Sequence, residues 1–201
     1  MRCYIILIIL FVLPLSLNPS ETEFDLDKYN EMMVEIEQFK RKQFIDELKY
    51  EIAVILEDVK YFNVLSINPD HLYFMETKRL EYNIPMNIYY RLVLKESWFG
   101  LFTLSPVGAR GYMQVMPATF NWIVSRYELD ISDINDPYDN IVAGTFYLNL
   151  MKEWVDERFP TDSEDYRWKR ALASYNAGFS VHGRAMYRYN ETRNYVAFIL
   201  K

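Results

Sequence analysis

Three apolar, helix-periodic runs in this chain open on a proline: Asn68-Pro69-Asp70, Met116-Pro117 and Asp136-Pro137. Proline suits the first turn of a helix because its ring holds φ near the helical value and its missing N–H would have no partner there. Asn68 and Asp136 stand where a side-chain oxygen can accept from the exposed amides of that turn. No apolar–polar alternation runs longer than a few residues, so strands have little to form from. The punctuation therefore predicts helices from Pro69 to Tyr82, Met86 to Trp98, Pro117 to Tyr127, Pro137 to Phe159, Ser163 to Tyr175 and Glu191 to Lys201. Asn83-Ile84-Pro85 and Asn176-Ala177-Gly178 break the runs, and residues 103–117, with Pro106, Gly108, Gly111 and Pro117, form an irregular turn-rich stretch. The fold class is all-α.

Ahead of this part, Lys28 to Phe62 contain neither Gly nor Pro. Tyr29, Met32, Ile36 and Phe39 form one apolar stripe, and Ile45, Leu48, Ile52, Ile55, Val59 and Phe62 form a second. The polar stretch Lys40–Gln43 separates them, and they are out of phase. One long amphipathic helix with a kink, or two helices, accounts for the pattern; its stripe docks on the domain behind it or on a partner protein. Residues 1–20 differ again: Arg2 precedes an apolar run from Tyr4 to Leu13, the pattern of a secretory signal and too short for a membrane span. The reading is therefore a signal peptide or N-terminal anchor at 1–20, an acidic helical region at 21–67 and a helical domain at 68–201.

Composition excludes several classes. With 51% apolar and 25% charged residues the chain can bury a core, unlike a disordered one. The net charge of −6 is concentrated in residues 21–65, and no Lys/Arg stripe of the kind a phosphate backbone requires is present, so nucleic acid is not an expected partner. Cys3 is the only cysteine, and His71 and His182 are far apart in sequence, so neither a disulfide nor a metal site is expected. Aromatic residues reach 17%, and their flat faces suit sugars as well as cores.

The chemistry concentrates in two neighbouring segments. Glu96 lies four residues after Leu92 and three after Val93, at the edge of an apolar helix face. Desolvation there disfavours the carboxylate and raises its pKa, as a general acid near neutral pH requires. Ser105-Pro106-Val107-Gly108-Ala109-Arg110-Gly111-Tyr112-Met113-Gln114-Val115-Met116-Pro117 follows, with glycines that let backbone approach a ligand and an amide that both donates and accepts. Together with Glu96-Ser97 and Thr119, this segment resembles the catalytic signature of the soluble-type, lysozyme-like lytic transglycosylases. Asn140-Ile141, Gly144 and Tyr147-Leu148, then Ser174-Tyr175-Asn176-Ala177-Gly178, then Glu191-Thr192-Arg193-Asn194-Tyr195-Val196, resemble that family's later motifs in order. The resemblance covers residues 68–201.

That resemblance implies an α-rich lysozyme-like domain that cleaves the β-1,4 bond between N-acetylmuramic acid and N-acetylglucosamine in peptidoglycan, without a cofactor. It makes Glu96 the sole acid/base and gives Ser97 a part in orienting the substrate or the carboxylate. Met113 and Gln114 would line the sugar groove beside the Gly111 turn, Tyr175 and Asn176 would form the opposite wall, and Tyr195 would point its hydroxyl at Glu96. In the helix from Asn140 to Leu148, packing is the expected role, with Gly144 allowing close approach. Lys95 and Tyr112 depart from the family pattern, the latter adding a hydroxyl beside the groove. Two other readings stay open: a hydrolytic muramidase on the same fold, with Asp130, Asp133 or Asp136 as second acid, and a non-catalytic peptidoglycan-binding or scaffold protein. The expected location is the periplasm or cell envelope after export, with the N-terminus as a membrane anchor if it is retained. The 21–65 region is the place for a protein partner.

Overall fold

The computed structural model describes residues 26–56, 66–178 and 189–201. The segment expected to be a secretory signal, the end of the second apolar stripe (Val59 and Phe62) and His182 lie outside the described residues. Among those described there are seven helices: α1 (Leu26–Leu56), α2 (Pro69–Glu81), α3 (Met86–Ser97), α4 (Pro117–Tyr127), α5 (Pro137–Arg158), α6 (Glu164–Ala177) and α7 (Asn190–Ile199). They include no strand, only isolated antiparallel bridges from Arg110 to Leu104 and to Val115. None of the helices is long and apolar enough to cross a membrane.

The proline-led starts form as their chemistry dictates. The Asn68 side chain accepts from the amides of Asp70 at 2.8 Å and His71 at 3.4 Å, and Asp136 does the same for Tyr138 and Asp139. Ser163 caps α6 through Tyr166. Asn83 ends the α2 turn with φ of 51°, a left-handed conformation that asparagine tolerates better than most residues.

The chain divides into two compact units, Met1–Gln43 and Phe44–Lys201. In the first, Met32 and Phe39 of the leading stripe are exposed. In the second, Ile45, Leu48, Ile52 and Leu56 are buried in the core, and Arg91 Nη2 donates to the Ile55 carbonyl at 2.6 Å. The second unit thus includes part of the helical region assigned from sequence to residues 21–67. The cause is the phase change at Lys40–Gln43: only the second stripe joins the core, although α1 runs through both stripes as one helix.

Within this unit α5 packs on α2, α4 and α6, while α7 packs on α6 and α3. Helix α3 lies deepest, with every residue from Ile88 to Leu94 buried. Its two central tyrosines would bring hydroxyls into the core at a cost unless bonded, and both are bonded. Tyr89 pairs with Thr145 Oγ1 at 2.8 Å, and Tyr90 donates to Glu76 Oε2 at 2.8 Å. Arg79 closes on the same Glu76 with two bonds of 2.6 and 2.7 Å and donates to the Ile84 carbonyl. This network fixes the start of α3, at whose far end Glu96 sits.

Candidate functional site

Glu96 occupies the last turn of α3, and the chain then bends sharply. Trp98 and Phe99 both take left-handed backbone, with φ of 55° and 59°. Such conformations are costly for residues with a Cβ and persist where surrounding structure imposes them, often at functional sites. Here the bend is tied by Gly100 N to Ser97 O at 2.9 Å and by Thr103 Oγ1 to Gly100 O at 3.0 Å. Gly100 is needed for room, since a Cβ there would lie 2.4 Å from Thr103 Oγ1.

The irregular stretch after the bend is held from α5. Asn140 Oδ1 accepts from Met113 N at 3.0 Å, and its Nδ2 donates to the carbonyls of Arg110 at 2.9 Å and Ile134 at 3.2 Å. Gly111, with φ of 72°, lies so close that a Cβ would fall 2.5 Å from the Asn140 side chain. One turn along α5, Gly144 leaves space for Met113, whose Cβ would be 2.2 Å from a Cβ on Gly144. From α6, the Tyr175 hydroxyl donates to the Met113 carbonyl at 2.7 Å. The Gln114 amide donates to the carbonyls of Thr103 and Gly111, which fixes its side chain against the same turn.

A cavity of about 500 Å³ opens between these elements. Among its lining residues are Glu96, Gln114, Tyr175 and Asn176, four of the residues singled out from sequence. Tyr195 lies beneath it, buried on α7, and donates its hydroxyl to Glu96 Oε1. Burial raises the Glu96 pKa from 4.5 to about 7, against the Tyr195 hydrogen bond and the Lys95 charge, which both lower it. Lys95 itself stands over the Phe198 ring at 5.6 Å. The result is a carboxyl group that holds its proton near neutrality yet faces an open space.

The remaining expected residues stand behind the wall. Met113 is wholly buried, Gly111 serves the turn, and Ser97 Oγ donates to the Val93 carbonyl at 3.3 Å inside its own helix; none of the three lines the cavity. The Tyr112 hydroxyl, expected beside the groove, is instead buried against His71 Nδ1 at 3.1 Å. That contact makes His71 a packing residue, and burial lowers its pKa against the raising effect of Asp70 and Asp136.

Two residues of the quoted motifs stand at the site without having been given a part in it. Asn140 was expected only to pack, yet it clamps the turn. Glu191 is a second carboxylate on the cavity wall; it also lines a smaller neighbouring cavity of about 340 Å³ with Asn176, Thr192 and Tyr189. Its place one turn before Tyr195 on α7 was the available signal, because residues four apart share a helix face. Asp133 and Asp136 are engaged elsewhere, in the loop before α5 and at its cap, and Asp130 does not line the cavity. Among the described residues, no three His, Cys, Asp or Glu side chains group as metal ligands.

An α-helical domain with a half-buried acid at the end of its central helix, a Gly-rich turn opposite and a tyrosine bonded to the acid defines a lysozyme-like class. The chain belongs to the Transglycosylase SLT domain family, whose profile matches residues 74–198. Among solved structures it is similar to the 70 kDa soluble lytic transglycosylase of Escherichia coli, with 25% identity and a TM-score of 0.52 over 63% of this chain. A complex of the 70 kDa soluble lytic transglycosylase with bulgecin A matches to the same extent. An inactive mutant of the lytic transglycosylase Slt from Pseudomonas aeruginosa shares the fold at 22% identity, with a TM-score of 0.52 over 64% of this chain. The matched region is 22% of the length of each of those proteins.

Proposed function

We propose that this protein is a peptidoglycan lytic transglycosylase that cleaves the β-1,4 bond between N-acetylmuramic acid and N-acetylglucosamine with Glu96 as both acid and base. The observation that carries the reading is the Glu96 carboxyl, raised to about 7 by burial, on the wall of an open cavity and bonded to Tyr195. Near neutral pH it donates its proton to the glycosidic oxygen as the C1–O bond breaks. The substrate's own N-acetyl oxygen stabilises the positive charge at C1. The leaving sugar departs with the Glu96 proton, and the Glu96 carboxylate then takes the proton of the muramoyl 6-hydroxyl. That oxygen bonds to C1 and closes a 1,6-anhydro ring, which returns Glu96 to its starting state with no water consumed. Tyr195 keeps the carboxyl oriented in both half-reactions, Gln114 and Tyr175 shape the two walls, and Asn176 faces the strand beside Glu191.

Membership of the SLT family supports this reading, as does the similarity to lytic transglycosylases. Export to the cell envelope, where the substrate is found, accords with the apolar N-terminal segment. Glu191 on the same wall favours one second reading, hydrolysis by an acid and a base acting on water. Purified protein incubated with insoluble peptidoglycan tests the common ground: soluble fragments appear with the native chain and not with Glu96→Gln. Release that survives Glu96→Gln sinks both enzymatic readings of the site.

A further inference from the structure

Gln114 stands on the cavity wall with left-handed backbone, φ of 46°. Such a conformation is costly for a residue with a Cβ and lasts only where its neighbours impose it. Each of the three residues before it is held. Gly111 lies against the Asn140 side chain, and the Met113 backbone is bonded to Asn140 and Tyr175. Tyr112 is held through its side chain, from a different helix. Its hydroxyl lies 3.1 Å from His71 Nδ1 in the first turn of α2, with both residues buried and their rings edge-on at 5.7 Å. His71 also meets Tyr138, in the first turn of α5, at 5.1 Å and 89°, and Tyr138 meets Phe74 of α2 at 5.1 Å. The starts of α2 and α5 thus share one ring cluster, and Tyr112 ties the turn beside the cavity into it. Burial pushes the Tyr112 hydroxyl up to about 12 and lowers His71 against the raising effect of Asp70 and Asp136. Near neutral pH the pair therefore meets as a neutral phenol and a neutral imidazole.

We propose that His71 and Tyr112 are positioning residues for cleavage: their buried bond locks the Gly111–Gln114 turn to the start of α2 and so sets Gln114 on the cavity wall. The inference rests on the glycan-cleaving reading above and adds to it two residues that stand behind the wall, since neither lines the cavity. Ring packing alone needs no hydroxyl, and a phenylalanine would fill the same space. Tyr112 departs from the motif that the chain otherwise resembles, and the departure supplies the hydroxyl that the lock needs. Removing either partner leaves the other's polar atom buried without this bond, which costs more than the bond itself contributes. Once released, the backbone at Gln114 relaxes from its imposed φ and draws the side-chain amide away from the Thr103 and Gly111 carbonyls. A shift of about 1 Å at such a wall lowers a rate by up to about 10²-fold, even when its cause lies outside the site.

The test compares the full chain in its native form with Tyr112→Phe, His71→Leu and the two changes together. Fragment release from insoluble peptidoglycan is measured at a temperature where circular dichroism shows every form folded. Each single change is expected to lower the rate at saturating peptidoglycan by about tenfold. The double change lowers it no further, because two residues that act through one bond are not additive. His71→Asn, whose side-chain amide reaches the place of Nδ1, restores most of the rate; should His71→Leu not fold, Tyr112→Phe against His71→Asn carries the comparison. Amide hydrogen exchange reads the lock without reference to activity: in Tyr112→Phe the Met113 amide exchanges about fivefold faster relative to the amides of α3. Variants that melt lower yet cleave at the native rate assign the contact a merely structural role and overturn the proposal, as do single losses that multiply in the double variant. Unchanged Met113 exchange beside native fragment release sinks the lock alone. A native chain that releases nothing sinks the cleavage reading, and the positioning role falls with it.

Discussion

In its proposed role Glu96 would serve catalysis at the expense of stability. Its pKa of about 7 in the fold, against 4.5 ordinarily, means that the folded chain binds more protons than the unfolded one between those values. The stability it contributes is complete below pH 4.5 and is lost as pH rises through 7. Glu96→Gln cannot ionise, so the variant is expected to melt higher than the native chain at pH 8, by the equivalent of about 1–3 kcal/mol. The difference closes at pH 4, and calorimetry at both values checks it. The same substitution should lower the cleavage rate by about 10²–10⁴, the usual worth of a general acid. For the native chain, kcat/KM falls as pH climbs past about 7, where the acid loses its proton. Tyr195→Phe removes a bond that favours the carboxylate, so this alkaline limb moves to higher pH; an unmoved limb would show that Tyr195 does not govern Glu96. The desolvated setting of the Glu96 carboxyl was legible from its place at the rim of an apolar helix face. The clamp by Asn140 and the place of Glu191 on the cavity wall were not, because the turn that Asn140 holds lies up to 30 residues away in sequence and the wall that Glu191 joins is built from other helices.

At the scale of elements, helix starts were legible because capping is local chemistry: Asn68, Asp136 and Ser163 each bond amides two or three residues ahead. The end of α4 at Tyr127 fell where expected and the other helix ends shifted by one or two residues, while the bend at Trp98–Phe99 carried no local signal, since neither residue favours left-handed backbone. The contact of α5 with the Gly111–Gln114 turn is where a single atom decides the geometry. Gly144→Ala would press a methyl group into Met113, displace the turn that Gln114 stands on, and is expected to cost about 1–3 kcal/mol. Denaturant titration measures that cost, and cleavage should fall further than the stability loss alone explains. A variant with native stability and native activity would show that the packing against Met113 does not position the site.

For the whole molecule, the division at Gln43 and Phe44 makes a prediction about length. A chain beginning at Phe44 keeps the buried stripe Ile45, Leu48, Ile52 and Leu56 and should fold and cleave. A chain beginning after Leu56 loses four buried side chains, each worth about 1.5–3 kcal/mol, and should not fold. Circular dichroism of the two products separates these outcomes, and failure of the longer one would place residues before Phe44 within the cooperative unit. The helical class and the order of motifs could be read before the structure because periodicity and caps encode them. The burial of Ile45, Leu48, Ile52 and Leu56 beside the exposure of Met32 and Phe39 could not, since the two stripes of α1 look alike in sequence and only burial tells them apart. One measurement bears on the central claim most directly: mass spectrometry of the fragments released from purified peptidoglycan. A single acid/base at Glu96 predicts 1,6-anhydromuramoyl ends, each lighter by one water than a hydrolytic product. Reducing muramic acid ends would contradict it and make Glu191 the second acid of a hydrolase.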